Sequence, residues 1–267
     1  MIDEFLKNVR CFLLDLDGTL TLDGQLLSGA SELLSMFRSK ELIYCLITNN
    51  SSKSKKTYLE KLAQVGLKIS PDELITSGEV TKHYLLNHHA GARIFILGTP
   101  DLVQELKGFG IESDENNPDV LVLGFDTTLT YEKLTRFCDF LRKGKPYMAT
   151  HSDINCPTAN GFIPDIGSMM AMIQTSTGRR PDVIMGKPFL PLVDFLSERT
   201  GLEPDQMCMI GDRLYTDMAM GQHGVHTMLV LTGETKRADL PIATQKPEMV
   251  VENLWEVIRL IEIQKIG

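Results

Sequence analysis

Strand-length runs of uninterrupted apolar residues, each closed by turn chemistry and most followed by helical periodicity, recur along most of this chain. Cys11-Phe12-Leu13-Leu14 is the first and Leu42 to Ile47 the second, followed by helix-like stretches over 31–37 and 53–65. Ile94 to Leu97, Val120 to Leu123, Val183 to Met185, Met207 to Ile210 and Thr227 to Leu231 continue the pattern. A strand with one wet face alternates apolar and polar residues, whereas a strand covered on both faces does not. The runs therefore predict an α/β fold: a doubly wound, Rossmann-like parallel sheet with crossover helices on its faces. With 43% hydrophobic and 23% charged residues in 267, the chain has the apolar mass for such a core. That balance excludes a disordered chain.

One stretch reads as a second α/β set of its own. Between 81 and 178 come Ile94 onward, a helix over Asp101 to Lys107, Val120 onward, a helix over Tyr131 to Arg142, and Pro146 to Thr150. A loop over 154–166, with Pro157, Gly161 and Pro164, leads to a Met-rich helix over 168–177. The stripe of Met169, Met170 and Met172 is expected in the core. Residues 81–178 thus form an inserted α/β domain, and 1–80 with 179–267 form a discontinuous core domain.

The formal charge of −8 disfavours nucleic acid and anionic membrane surfaces as partners. No apolar run approaches the roughly 20 residues of a membrane span. The opening residues, 1–7, lack the basic-then-apolar order of a signal peptide. Five scattered cysteines with no C-x-x-C pair argue against a disulfide framework and against a thiolate zinc site. A cytoplasmic protein is expected.

The sharpest chemical signal is Asp15-Leu16-Asp17-Gly18-Thr19-Leu20, directly after the first buried run. Parallel sheets bind ligands at the carboxyl ends of their strands, which puts both acids at the functional edge. A calcium loop does not fit, because its sixth and twelfth positions would be Leu20 and Leu26 instead of Gly and Glu. Thr48-Asn49-Asn50-Ser51 closes the second run before a helix, where unpaired N–H groups suit an anion. Gly186-Lys187-Pro188 fails as a phosphate loop, since Pro181 and Pro188 stand where Gly and Ser or Thr are needed. Gly211-Asp212 ends another run, and Asp217 follows five residues on. Each signal alone is compatible with a turn or a helix cap. Together they gather carboxylates, a hydroxyl and an ammonium at one sheet edge. Two bare carboxylates 4 Å apart repel by about 4 kcal/mol at an effective dielectric of 20, a conflict that a Mg²⁺ ion removes.

These four motifs, in this order, resemble those of the haloacid dehalogenase superfamily of phosphohydrolases. The long stretch between Thr48 and Lys187 is similar to that of its class IIA members, the NagD-like and para-nitrophenyl phosphatase-like enzymes, whose cap domain is inserted there. The return over 149–188, through Thr150-His151-Ser152-Asp153 and Gly186-Lys187-Pro188, is similar too, although His151 stands where many relatives have Asn. The resemblance implies a Mg²⁺-dependent phosphomonoester hydrolase for a small phosphorylated metabolite such as a sugar phosphate or nucleoside monophosphate. In it Asp15 is the nucleophile that becomes an aspartyl phosphate, and Asp17 the general acid and base. Mg²⁺ is held by Asp15, the Asp17 carbonyl and Asp212, with Asp217 in support. Thr48 binds the phosphoryl oxygens, and Lys187 balances charge on the nucleophile and phosphoryl group. Asn49, Asn50 and Cys156 are candidates for substrate contact, and a homodimer through the cap is implied.

Two alternatives use similar residues. A phosphotransferase or mutase would have the same site. A receiver-type signalling domain also has an Asp, a Thr and a Lys, but it is about half this length and carries no cap. P-type-ATPase-like and dehalogenase sites lack the second acid, which Asp17 supplies here.

Overall fold

The computed structural model describes residues 6–158 and 161–263. Its strands are β1 (Cys11–Asp15), β2 (Thr21–Leu22), β3 (Gln25–Leu26), β4 (Ile43–Thr48), β5 (Leu74–Thr76), β6 (Ile94–Leu97), β7 (Val120–Leu123), β8 (Tyr147–Ala149), β9 (Asn155–Thr158), β10 (Gly161–Pro164), β11 (Val183–Ile184), β12 (Met207–Gly211), β13 (His226–Val230) and β14 (Met249–Val251). The helices between and after them are α1 (Ala30–Ser39), α2 (Lys55–Gln64), α3 (Ser77–His88), α4 (Pro100–Gly108), α5 (Tyr131–Arg142), α6 (Ile166–Thr177), α7 (Leu190–Thr200) and α8 (Leu254–Ile263).

The chain divides into two compact units. The first comprises Met1–Thr48, Leu59–Ile75 and Val193–Gly267, and the second Asn49–Tyr58 and Thr76–Leu192. The first is built on a six-stranded sheet in the order β14-β13-β12-β1-β4-β5. β1 pairs in parallel with both β12 and β4, and the β12–β13 and β13–β14 pairs are parallel as well. Every residue of β1 and β12 is buried, as their unbroken apolar runs require. Phe12 stacks on Phe37 of α1, with ring centroids 5.0 Å apart, and α1 lies beside α8.

The second unit is built on a four-stranded sheet in the order β11-β8-β7-β6, all parallel. α5 shows how its helices form. Thr130 caps its start by accepting the Lys133 N–H at 3.2 Å, and Phe137, Cys138, Phe140 and Leu141 give it one buried face. Such a cap stabilises a helix by about 1 kcal/mol. That face joins Phe95, Leu97, Leu121, Leu123 and Tyr147 in one core. The stretch 81–178 lies inside this unit. The unit reaches past 178 because Val183 and Ile184 pair with Met148 and Ala149, which adds a fourth strand.

Two features depart from the sequence reading. The loop over 154–166 is largely a β-hairpin, with Cys156 opposite Ile163 and Pro157 opposite Phe162. Both its strands are mostly exposed, so no alternation marks them, and two prolines read as breakers. In the Met stripe, Met169 is buried and Met170 packs on the core, but Met172 is 43% exposed.

Candidate active site

Strand register in the first unit brings three chemical groups to one edge. Asp15 ends β1 opposite Ile47, so Thr48 lies one residue beyond on the neighbouring strand. On the other side Leu14 pairs with Ile210, which places Asp212 just past the end of β12. The chain leaves β1 for β4 on one side and reaches β12 on the other. This is the switch point at which open parallel sheets bind ligands.

Asp15, Asp212 and Asp217 each offer a carboxylate oxygen within 4.8 Å of the others, and all three are buried. Burial, then the Asp15 and Asp217 charges, hold the Asp212 carboxyl well above the usual carboxylate range. Its Oδ2 accepts the Glu234 N–H at 2.6 Å, while its buried Oδ1 has no hydrogen-bond partner among the described residues. Asp217 Oδ2 accepts the Arg213 N–H at 3.0 Å, which holds the third carboxylate in place.

Glycines make room for this cluster. Gly18 has φ +99°, and a Cβ there would stand 2.3 Å from Asp212 Oδ2; one on Gly233 would stand 2.0 Å from the same oxygen. Gly18 is also held from two sides: its N–H donates to the Thr21 carbonyl at 2.7 Å, and its carbonyl accepts the Thr232 hydroxyl at 2.6 Å. An orphaned buried oxygen, three converging acids and a cradle closed to any Cβ fit a divalent cation. The Asp17 side chain stands apart from the three acids, exposed, with Oδ1 accepting from the Thr21 hydroxyl at 3.3 Å. Thr48 is buried.

The remaining candidates belong to the second unit. Lys187 is buried, and its main chain is clasped by Asn49. Asn50 Oδ1 accepts from the Ser52 N–H and hydroxyl, and its Nδ2 lies 3.9 Å from Cys156 Sγ. Asn50 and Cys156 therefore come together although 106 positions separate them in sequence. Cys156 is half-exposed, whereas Cys11, Cys45, Cys138 and Cys208 are buried, and none of the five is in a disulfide among the described residues.

Sequence reasoning did not find Gly233, the Glu234 N–H or Thr232. Their only signal is a Thr-Gly pair just past a strand run. Nor did it find a buried group in the second unit, His151 with Asp153 and Asp165. The His151 ring is edge-on to Phe125, and its Nε2 lies 3.6 Å from Asp165 Oδ1.

Comparison with known proteins finds relatives over nearly the whole chain. A family model described as haloacid dehalogenase-like hydrolase matches residues 12–112, and one described as HAD-hydrolase-like matches 184–257. The structure superposes on 4-nitrophenylphosphatase from Thermotoga maritima with a TM-score of 0.92 and 47% identity, covering 96% of this chain and 98% of that one. An acid sugar phosphatase of Staphylococcus haemolyticus is 30% identical over 96% of this chain and 98% of its own length. The 5′-nucleotidase YutF of Bacillus subtilis is 29% identical over 96% of this chain and all of its own. The chain belongs to the haloacid dehalogenase-like hydrolases. Within them it is a phosphatase of the NagD and 4-nitrophenylphosphatase type.

Proposed function

We propose that this protein is a Mg²⁺-dependent phosphomonoester hydrolase of the cytoplasm. It acts on small phosphorylated metabolites through an aspartyl phosphate on Asp15. The observation that carries this reading is the convergence of the Asp15, Asp212 and Asp217 carboxylates within 4.8 Å at the ends of β1 and β12. Relatives of nearly the same length that are named for sugar phosphates, 5′-nucleotides and 4-nitrophenyl phosphate support a small substrate. Five cysteines outside any disulfide among the described residues suit a reducing compartment.

The Asp15 carboxylate attacks phosphorus, and the bond from phosphorus to the leaving oxygen breaks. Asp17 gives that oxygen a proton, then takes one from the water that attacks the aspartyl phosphate. Phosphate leaves and the Asp15 carboxylate is restored. The Thr21 hydroxyl orients the Asp17 carboxylate for both transfers. Thr48 binds phosphoryl oxygens, and the Lys187 ammonium balances their charge. Mg²⁺, held by Asp15, Asp212 and the Asp17 carbonyl with Asp217 behind them, would neutralise the carboxylate cluster and the phosphoryl group. We propose Asn50 and Cys156 as contacts for the leaving group, and the inserted unit as the cap that would exclude water from the phosphoenzyme.

The test is phosphate release from 4-nitrophenyl phosphate and a panel of sugar phosphates and nucleoside monophosphates, with Mg²⁺ and with EDTA. Release that needs Mg²⁺ and selects among the panel is expected. No release from any member, or transfer to an acceptor instead of water, would overturn the reading.

A further inference from the structure

We infer that Asn49 is a positioning residue for Lys187, and that Asp153 locks the orientation in which Asn49 works. The inference rests on the reading of Lys187 as the charge-balancing group at the phosphoryl site.

Asn49 is buried, and its amide is fully engaged. Its Oδ1 accepts the Lys187 N–H at 2.8 Å. Its Nδ2 donates to the Lys187 carbonyl at 3.1 Å and to Asp153 Oδ1 at 2.8 Å. One amide thus grips both polar groups of a single main-chain residue 138 positions away, and both of its hydrogens are used. An amide committed in this way has no donor left for a substrate.

Three contacts hold the clasp in place. The Asn49 carbonyl accepts from the hydroxyl of Ser77, itself buried, at 2.5 Å. The residue before Lys187 is Gly186, where a Cβ would stand 2.5 Å from Asn49 Oδ1 and 2.8 Å from His151 Cβ. Only glycine lets the amide approach this closely. Asp153 in turn is fixed by its main chain: its N–H donates to His151 Nδ1 at 3.3 Å, and its carbonyl accepts the Gly167 N–H at 2.8 Å.

Asp153 reinforces the way the amide faces, which the Lys187 N–H and carbonyl also require. With the amide turned over, the Asn49 oxygen would meet Asp153 Oδ1 and the Lys187 carbonyl, leaving only acceptors in contact. In the observed orientation the Lys187 Cα is held from both sides, so the origin of its ammonium arm is set. A misplacement of about 1 Å at a charged group in a reacting site costs on the order of 100-fold in rate.

The experiment is a double-mutant cycle of Asn49→Ala with Lys187→Ala. Rates are taken to single turnover on 4-nitrophenyl phosphate and on a sugar phosphate, with thermal unfolding of each variant. Asn49→Ala is expected to lower kcat by about 10–100-fold with KM within about threefold, equally on both substrates. In the Lys187→Ala background it should cost less than about threefold more, because the group it positions is already gone. Asp153→Asn keeps an oxygen that can accept from Asn49 and should stay within about threefold, whereas Asp153→Ala should fall with Asn49→Ala. These Asp153 variants carry the test where Asn49→Ala does not fold. An additive cycle would show a merely structural role, and a raised KM or a loss confined to one substrate would show a substrate contact; each overturns the inference. Lys187→Ala with a rate near wild type would overturn the reading of Lys187, and the inference with it. A large loss in Lys187→Ala with an additive cycle would overturn the inference alone.

Discussion

Replacing Asp212 by Asn separates two properties of the carboxylate cluster, its internal repulsion and its capacity for a cation. Oxygens of Asp15, Asp212 and Asp217 lie within 4.8 Å of one another. Two full charges at that distance repel by about 3.5 kcal/mol at an effective dielectric near 20. Burial, with those two neighbours, raises the Asp212 pKa above its ordinary 3.8. An acid with a raised folded-state pKa binds more protons folded than unfolded. The metal-free protein therefore loses stability as the pH climbs from near 3.8 through the raised pKa. Asn carries no charge, and its oxygen can still accept the Glu234 N–H that Asp212 Oδ2 receives. Above the raised pKa, where Asp212 is ionised, recovering about half of one pair's repulsion stabilises the metal-free variant by about 2 kcal/mol, or about 4–8 °C in Tm, and the gain vanishes toward pH 4. With Mg²⁺ at 100 times its Kd the wild type gains about 2.7 kcal/mol, and the variant should gain almost nothing. The assay is thermal unfolding between pH 4 and 8, in EDTA and in Mg²⁺. An Asn variant less stable than wild type in EDTA, or one with an equal Mg²⁺ response, would refute the reasoning.

Other substitutions probe the remaining roles. Asp15→Asn should lower turnover by at least about 10³-fold with the fold intact by circular dichroism, since it removes the nucleophile. Activity within tenfold of wild type would count against the assignment. Asp17→Asn should lose about 10²–10⁴-fold on alkyl phosphates and much less on aryl phosphates, whose leaving groups need little protonation. An acid quench should then trap phosphoenzyme, and equal losses with none trapped would remove Asp17 from the acid/base role. Lys187→Arg should retain measurable turnover while Lys187→Ala falls by about 10²–10³-fold, because charge matters more there than shape. Borohydride trapping of a carbonyl compound on Lys187 would contradict this. Gly233→Ala should weaken Mg²⁺ binding by about 10–100-fold, because its Cβ would stand 2.0 Å from Asp212 Oδ2 and push that carboxylate aside. Calorimetric titration with Mg²⁺ checks it, and unchanged affinity would mean the cradle is not needed.

Much of the architecture is legible in the residues themselves. A short unbroken run such as Cys11 to Leu14, closed by the Asp-Gly turn, predicts a strand buried on both faces, and β1 is buried along its whole length. The helix predicted over Tyr131 to Arg142 is α5 to the residue, because a Thr cap and a regular apolar face mark its ends. The hairpin of β9 and β10 left no such mark, since strands exposed on both sides carry no alternation. The extent of the second unit was equally hidden, because the two-residue strand β11 is defined by its pairing with β8 and not by its own composition.

The same division runs through the site. Asp15 and Asp212 could be placed from the sequence because acids at the ends of buried runs come to the carboxyl edge of a parallel sheet, whereas Asp217 was implied by the family resemblance. Their order along the chain and the glycines beside them belong to that local code. Which side chain meets which was decided by tertiary structure. Asn49 reads as a substrate contact in sequence, yet in the fold its amide is spent on Lys187 and Asp153. Gly233 carries no chemistry of its own, yet it leaves the space that Asp212 Oδ2 fills. Local pattern determines what a segment becomes, because burial and backbone hydrogen bonding act on neighbours along the chain. The partner of a buried amide depends on residues more than a hundred positions away, the space beside the Asp212 carboxylate on a glycine in the loop after β13, and both exist only once the sheets have formed.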